Sequence, residues 1–295
     1  MAENSVHVPH IRLDDAVEIP QIGFGTFKIP PEDTQRAVEN ALELGYRHID
    51  TAAAYYNEAG VGAALRATGF PRDQVFVTTK LRNADQGREA ALDAFDASRR
   101  ALGIEVPDLY LIHWPDPAKG LYTETWQALV ELSQAGAVRA IGVSNFLPEH
   151  LDRIIEATGV IPAVDQVEIH PTFSQPEVRQ ACARLGIVVE AYSPLGQGRD
   201  LEDPVVTGIA QRLDVTPAQV VLAWHIAQGR VVIPKSVHPD RMRTNLEAAS
   251  LRLEEADIAA VTGMHDAGGR LGGDPATFDY PQTREDAAAR NESHD

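Results

Sequence analysis

Polar and ionisable residues recur at the ends of short apolar runs along this chain, and their types could do chemistry. In chain order they are Asp50, Lys80, His113, Ser144-Asn145, Gln166, Tyr192-Ser193 and Lys235-Ser236, with Tyr55 just after the second run. A lysine can attack a carbonyl to form a Schiff base, which makes Lys80 and Lys235 candidate nucleophiles. A phenol can deliver a proton, although its ordinary pKa is about 10. An ammonium beside it favours the phenolate and eases that transfer. An imidazole can hydrogen-bond to a carbonyl oxygen as charge builds there. Each residue also has a plain structural reading. Asp50 can cap a turn, Lys80 can be a solvated strand-end lysine, Tyr55 an ordinary loop tyrosine, and His113, before Trp114-Pro115, a satisfied core histidine. Singly, those readings are the better ones. Recurrence at the same end of element after element argues against them as a group. His48-Ile49-Asp50 hints at metal ligands, but paired histidines on one strand are missing, so no metal is expected.

The elements that must position these residues follow a regular alternation. Apolar or β-branched runs lie at Ile22–Phe27, Arg47–Asp50, Val75–Thr79 and Leu109–His113, then at Val138–Val143, Ala163–Glu168, Ile187–Ala191 and Val231–Ile233. Eight such runs separated by helical patterns predict a (β/α)₈ barrel, in which active residues stand at the C-terminal strand ends. Val38, Ala41 and Leu42 share one helical face, as do Trp126, Leu129 and Val130, and Leu151, Ile154 and Ile155. Gly45, Gly103, Gly136 and Gly186 mark helix stops. Pro217 suits a first helical turn capped by Thr216. Ahead of the barrel, Ile11–Ile19 reads as a hairpin able to plug its bottom. Beyond it come helices over about Asp240–Ala249 and Glu254–Thr262, then Gly268–Gly273, which opens a tail over the barrel mouth. Residues 284–295 are polar and expected to be frayed, and the chain reads as one domain, 1–295. A doubly wound sheet is the competing architecture, but Gly23-Phe24-Gly25 lacks the third glycine of a dinucleotide fingerprint. His150 and His225 fall on helices and are expected at the surface. Cys182 is expected to be packing.

Composition narrows the function classes. Lys and Arg total 26 against 43 Asp and Glu, a net charge of −17, which argues against broad binding to nucleic acid. No apolar run is long enough to span a bilayer. Met1-Ala2-Glu3-Asn4-Ser5 has neither the basic start nor the apolar stretch of a secretory signal. With one cysteine and no internal disulfide, a cytoplasmic setting is expected.

With these residues in order, the chain resembles an aldo-keto reductase, near the bacterial 2,5-diketo-D-gluconic acid reductase branch. The likeness runs from Ile19-Pro20 to about Ala260. It is strongest at Gly45-Tyr46-Arg47-His48-Ile49-Asp50-Thr51-Ala52, Gly142-Val143-Ser144-Asn145-Phe146 and Ile233-Pro234-Lys235-Ser236. The resemblance implies NADPH-dependent reduction of small aldehydes, ketones, keto-sugars or dicarbonyls, with NADH as a weaker cofactor. It implies a catalytic tetrad of Asp50, Tyr55, Lys80 and His113, with Tyr55 as general acid. It also places the cofactor. Gly25, Thr26 and Asp50 would flank it, and Ser144, Asn145 and Gln166 would hold the nicotinamide carboxamide. Tyr192 would stack on the ring, and Ser193, Leu195 and Gly196 would follow the pyrophosphate. Lys235, Ser236, Val237 and Arg241 would surround the 2′-phosphate, with Asn245 near the adenine. The substrate pocket would take Phe27, Tyr55, Arg82, His113 and Trp114.

Three positions depart from the family pattern. Arg82 follows Lys80-Leu81 where tryptophan is common, Asp165 precedes Gln166 in place of asparagine, and His238-Pro239-Asp240 is less basic than usual. Two other function classes stay open on the residues alone: a Schiff-base aldolase using Lys80 or Lys235, and a cofactor-binding regulator with little turnover. A monomer with no membrane or nucleic-acid partner is expected.

Overall fold

The computed structural model describes residues 6–14 and 16–282. The alternating runs near its start form an antiparallel hairpin of β1 (His10–Arg12) and β2 (Glu18–Pro20), with Ile11 opposite Ile19. Eight parallel strands follow. They are β3 (Phe24–Gly25), β4 (His48–Asp50), β5 (Phe76–Leu81), β6 (Leu109–Ile112), β7 (Ala140–Ser144), β8 (Val164–Glu168), β9 (Val188–Tyr192) and β10 (Val231–Val232). They lie side by side in chain order. Ile22 bridges Val232 in parallel, Gly23 N donates to Val232 O at 2.8 Å, and Val232 N donates to Gln21 O at 2.8 Å. These bonds close the sheet into the expected (β/α)₈ barrel.

The helices cover the outside. Between strands run α1 (Pro31–Leu44), α2 (Glu58–Thr68), α3 (Arg88–Leu102), α4 (Tyr122–Gln134), α5 (Pro148–Thr158) and α6 (Pro176–Leu185). Two helices, α7 (Pro204–Leu213) and α8 (Pro217–Ala227), fill the last crossover, and α9 (Pro239–Glu247) and α10 (Glu255–Thr262) follow β10. Local chemistry sets several boundaries. Gly45 and Gly186 close α1 and α6 at φ 111° and 73°, a region that favours a residue without a Cβ. Thr216 caps α8: its hydroxyl accepts from Gln219 N at 3.3 Å while Gln219 Oε1 accepts from Thr216 N at 2.9 Å. Strand β5 runs two residues past its expected end because Lys80 and Leu81 still pair with Leu111 and Ile112.

The barrel interior is graded. At the bottom, Val17 and Ile19 of the hairpin segment pack with Phe76, Leu109, Leu111, Ala140, Val164 and Val231. The hairpin is therefore the plug that its alternation suggested. Above this apolar floor, strand alternation puts His48 and Asp50 on one face of β4 and Thr78 and Lys80 on one face of β5. Each of these four is at most 1% exposed.

Two expectations are corrected. His225 is fully buried and His150 is 5% exposed. Helix α8 is apolar nearly all round, from Val220 to Ile226, so it leaves no wet face for His225. His225 instead faces Pro194 O at 3.2 Å, and its Nδ1 accepts from Arg230 Nε at 3.0 Å. His150 turns back on its own helix start, where Nδ1 accepts from Leu147 N at 3.2 Å. The tail from Gly268 to Gln282 does return to the barrel mouth, while 284–295 lie outside the described residues. Among the described residues, no helix is long and apolar enough to cross a membrane.

Gly62 on α2 lies against the end of α3, so close that a Cβ there would press into the Leu102 carbonyl. Gly62→Ala should cost about 1–3 kcal/mol by overpacking. Urea unfolding monitored by circular dichroism checks this, and an unchanged midpoint would show that α2 can shift away freely.

Candidate active site

Strand ends bring the expected residues together. Asp50 ends β4, and Lys80 stands next to last on the neighbouring β5. Lys80 Nζ donates to Asp50 Oδ1 at 2.6 Å and to Thr51 O at 2.9 Å. It lies 3.5 Å from the Tyr55 hydroxyl and 5.1 Å from the centre of that ring. Tyr55 closes a single 3₁₀ turn, Ala53–Tyr55, that follows β4. Its ring meets His113 edge-on at 5.5 Å and Phe27 at 5.1 Å. All four members of the expected tetrad thus share one end of the barrel.

A second tier of polar groups lies among the strands beside them. Gln166 Nε2 donates to Asp50 Oδ2 at 2.8 Å and to Glu190 Oε2 at 2.9 Å. Ser144 Oγ donates to Gln166 O at 2.7 Å, and Asn145 Nδ2 donates to Ser144 Oγ at 3.1 Å and His113 O at 3.0 Å. Tyr192 donates to Asn145 Oδ1 at 2.8 Å. Ser144, Asn145, Gln166 and Tyr192 therefore form one connected lattice. Ser193 and Gly196 turn the chain at φ 46° and 58°, and a Cβ on Gly196 would sit 2.7 Å from Asp200 Oδ2. Leu195 lies within that turn, which Gly196 N closes by donating to Ser193 O at 2.9 Å. Gly25 lies equally close to a neighbour: a Cβ there would be 2.8 Å from Ile233 O. Thr26 donates to Asp50 O at 3.0 Å. Beyond β10, Lys235, Val237 and Arg241 are exposed, whereas Ser236 and Asn245 are buried. They bracket the start of α9, where Ser236 Oγ accepts from His238 N at 3.1 Å.

The pocket residues divide. Phe27, Tyr55 and His113 are ring neighbours. Trp114 is stacked on Phe278 of the tail, 3.9 Å between centroids. Arg82 is engaged elsewhere: it grips Asp85 with Nε at 2.6 Å and Nη2 at 3.1 Å, and donates to the Tyr56 hydroxyl at 2.7 Å. Asp165 points away from this lattice, accepting from Phe146 N at 3.4 Å beside Cys182, and burial pushes its carboxyl well up. An open cleft of about 460 Å³, lined by Leu65, Phe70 and Leu102 among others, contains none of these residues.

Electrostatics are set by burial. Burial lifts the Asp50 carboxyl, against the pull of the Lys80 charge and the Gln166 bond. Burial lowers Lys80, but attraction to Asp50 and Tyr55 outweighs it and holds the ammonium above its ordinary value. Glu190 is pushed up to about 8, first by burial and then by the Asp50 charge. His48 is lowered to about 3 by burial. Burial thus disfavours charge on both His48 and Glu190, which lie 3.6 Å apart. The Lys80 ammonium, held by Asp50, is the cation that this tier is arranged around.

Sequence reasoning missed Glu190, Tyr56, Glu168, Phe278 and Gln282. Glu190 carried a signal, since a charged residue stands alone in the apolar run Ile187–Ala191. Glu168 pins the tail, accepting from Leu271 N at 2.6 Å and Gly272 N at 2.7 Å. Burial raises its carboxyl, but His170 and those two bonds hold it below the usual range. The tail residues have no periodicity that could have announced them.

Residues 21–266 match the profile of the Aldo/keto reductase family. The chain is 52% identical to an aldo-keto reductase of Mycolicibacterium smegmatis over 272 residues, covering 92% of this chain and 98% of that protein. It is 44% identical to the methylglyoxal reductase DkgA of Yersinia pestis over 272 residues, 92% of this chain and 97% of that one. Among solved structures, a mutant of Gox0644 in complex with NADPH superposes with a TM-score of 0.89 at 46% identity, covering 93% of this chain and 100% of that one. A putative 2,5-diketo-D-gluconic acid reductase B gives 0.82 at 35% identity, covering 86% and 91%.

Glu190 makes stability depend on pH. Its carboxyl holds a proton in the folded state up to about pH 8, whereas the unfolded chain releases it near pH 4.3. The resulting stabilisation is complete below that lower value and is lost as pH rises toward the upper one. Glu190→Gln keeps an acceptor for Gln166 and cannot ionise. Its stability relative to wild type should therefore climb between about pH 5 and about pH 8.5. Denaturant unfolding across that range checks this, and parallel wild-type and variant profiles would refute it.

Proposed function

This chain belongs to the aldo/keto reductase family, and we propose that it reduces small aldehydes, ketones, keto-sugars or dicarbonyls at the expense of NADPH. The observation that carries this reading is the convergence of Asp50, Lys80, Tyr55 and His113 at one barrel mouth. NADPH, when bound, supplies the hydride. Tyr55 supplies the proton that the developing alkoxide needs. Lys80, 3.5 Å from the phenol oxygen, favours the phenolate and so makes Tyr55 a better acid near neutral pH. Asp50 keeps the ammonium charged and aimed. His113 offers an N–H to the carbonyl oxygen. Phe27 and Trp114 form apolar walls, and Arg82 stands at the rim in place of an aromatic.

The residues also fit the cofactor. Ser144, Asn145 and Gln166 take the carboxamide, and Tyr192 takes the nicotinamide face. Gly25 and Thr26 flank the ring beside Asp50. Gly196 leaves bare backbone for the pyrophosphate, together with Ser193 and Leu195. Lys235, Ser236, Val237 and Arg241 gather at the N-terminal end of α9, where backbone N–H groups and two exposed cations suit a 2′-phosphate dianion. Asn245 serves the adenine. NADH, without that dianion, is a weaker cofactor. The complex of Gox0644 with NADPH supports this choice, and the methylglyoxal reductase relative favours dicarbonyls. A Schiff-base aldolase acting through Lys80 is disfavoured because that lysine is fully buried and bound to Asp50. We read the chain, 1–295, as one catalytic unit working as a cytoplasmic monomer with no nucleic-acid or membrane partner.

Purified protein should oxidise NADPH saturably with at least one member of a panel of dicarbonyls, sugars and aromatic aldehydes. NADPH binding with no oxidation across the panel would contradict the reading. Arg241→Ala should raise the NADPH Kd by about 10-fold to 100-fold and leave NADH nearly unchanged. Fluorescence titration of both cofactors checks this, and equal losses would place Arg241 away from the 2′-phosphate.

A further inference from the structure

We propose that Gln282, on the C-terminal tail, is a positioning residue that fixes the tautomer of His113 with its proton on Nε2. The inference rests on the reductase reading only for its consequence, not for its geometry. The Gln282 side chain has one acceptor and one donor group, and both are committed. Asn83 N donates to Gln282 Oε1 at 3.0 Å. A backbone N–H can only donate, so this contact requires the amide oxygen to face Asn83. The amide nitrogen must then face His113 Nδ1, which lies 3.3 Å away. An amide NH₂ can only donate, so Nδ1 has to be the lone-pair nitrogen. A neutral imidazole with a bare Nδ1 carries its proton on Nε2. The orientation thus passes from the backbone of Asn83, through one amide, to the ring.

The tail residue is held for this task. Gln282 is 4% exposed although it lies far along the chain after the last helix. Its own carbonyl accepts from the Tyr56 hydroxyl at 3.1 Å, and Asn83 Nδ2 donates to Tyr280 O at 3.0 Å. Its backbone takes φ 60°, a left-handed conformation that a residue with a Cβ adopts only when surrounding contacts over-determine it. Arg82 supports the same assembly by donating to Tyr56. The consequence concerns the carbonyl substrate. With Nδ1 accepting from Gln282, the ring carries its N–H on Nε2, the donor form that stabilising a developing oxyanion requires. The opposite tautomer would turn a lone pair toward that oxygen.

Gln282→Glu and Gln282→Met separate positioning from mere packing. A glutamate still accepts from Asn83 N, but it accepts at the ring as well, so it draws a proton onto Nδ1. A methionine keeps most of the volume and makes neither bond. In the NADP⁺-bound holoenzyme, ¹⁵N chemical shifts of the imidazole should report Nε2–H in wild type, a gain of Nδ1 protonation in Gln282→Glu, and a mixture in Gln282→Met. Turnover should follow the tautomer. Gln282→Glu should lose about 10-fold to 100-fold in kcat with little change in NADPH Kd, and Gln282→Met should lose less. Wild type with the proton on Nδ1, or a His113 tautomer unmoved by Gln282→Glu, would overturn the proposal. The NMR readout needs no turnover, so it stands whether or not the reductase reading survives. A wild type that reduces carbonyls while both variants keep its tautomer and its kcat would sink this proposal alone.

Discussion

An ammonium with no exposure to solvent, held by one carboxylate, is the constraint around which the site is built. Removing Lys80 and Asp50 from water costs several kcal/mol for each ion, and only close contact with good hydrogen bonds offsets it. The barrel supplies both. Adjacent parallel strands hold the two side chains at one level, with 2.6 Å between Nζ and Oδ1. The Thr51 carbonyl and the Gln166 amide fill further hydrogen-bonding positions. Burial disfavours charge on Glu190 and His48, which limits further charge beside the pair of Lys80 and Asp50. The Lys80 charge then also reaches the Tyr55 hydroxyl, 3.5 Å from Nζ. Fold and chemistry meet at this point, because the closed sheet that pays for the buried pair also sets its distance from the phenol.

Much of this was legible from residue order. Asp50, Lys80 and His113 each come at or just past the end of an apolar run, and parallel strands put such ends on one side of the barrel. The hairpin plug showed in its alternation, and the α8 start showed in Thr216-Pro217. Other features obeyed rules that act only after folding. His225 looked like a surface residue because a helix was assumed to have a wet side, yet α8 is apolar nearly all round and sits against β10 and its neighbouring helices. Glu190 was hidden by the apolar average of its strand. Gln282 and Phe278 belong to a segment without periodicity, and their places depend on tertiary contacts with Asn83, Tyr56 and Trp114, residues far earlier in the chain.

The departures from the family pattern also make physical sense together. Arg82 replaces an aromatic wall, and it does so by tying Asp85 to Tyr56, which in turn bonds the tail. Asp165 replaces an amide but faces the helix layer beside Cys182, where burial pushes its carboxyl well up. The mouth is thus closed by a polar strap and one aromatic stack instead of a continuous aromatic wall.

The most direct test of the central claim, that Lys80 and Asp50 serve to make Tyr55 an acid, is a stopped-flow single turnover with saturating NADPH, comparing wild type, Tyr55→Phe and Lys80→Met. Single turnover separates the reduction step from cofactor release. Loss of the proton donor should slow that step by about 10²–10⁴-fold in Tyr55→Phe, with folding stability and NADPH affinity near wild type. Lys80→Met should slow it too, and it should also destabilise the fold by leaving Asp50 buried without its partner. A Tyr55→Phe step at the wild-type rate would contradict the account and move the search for the acid to His113.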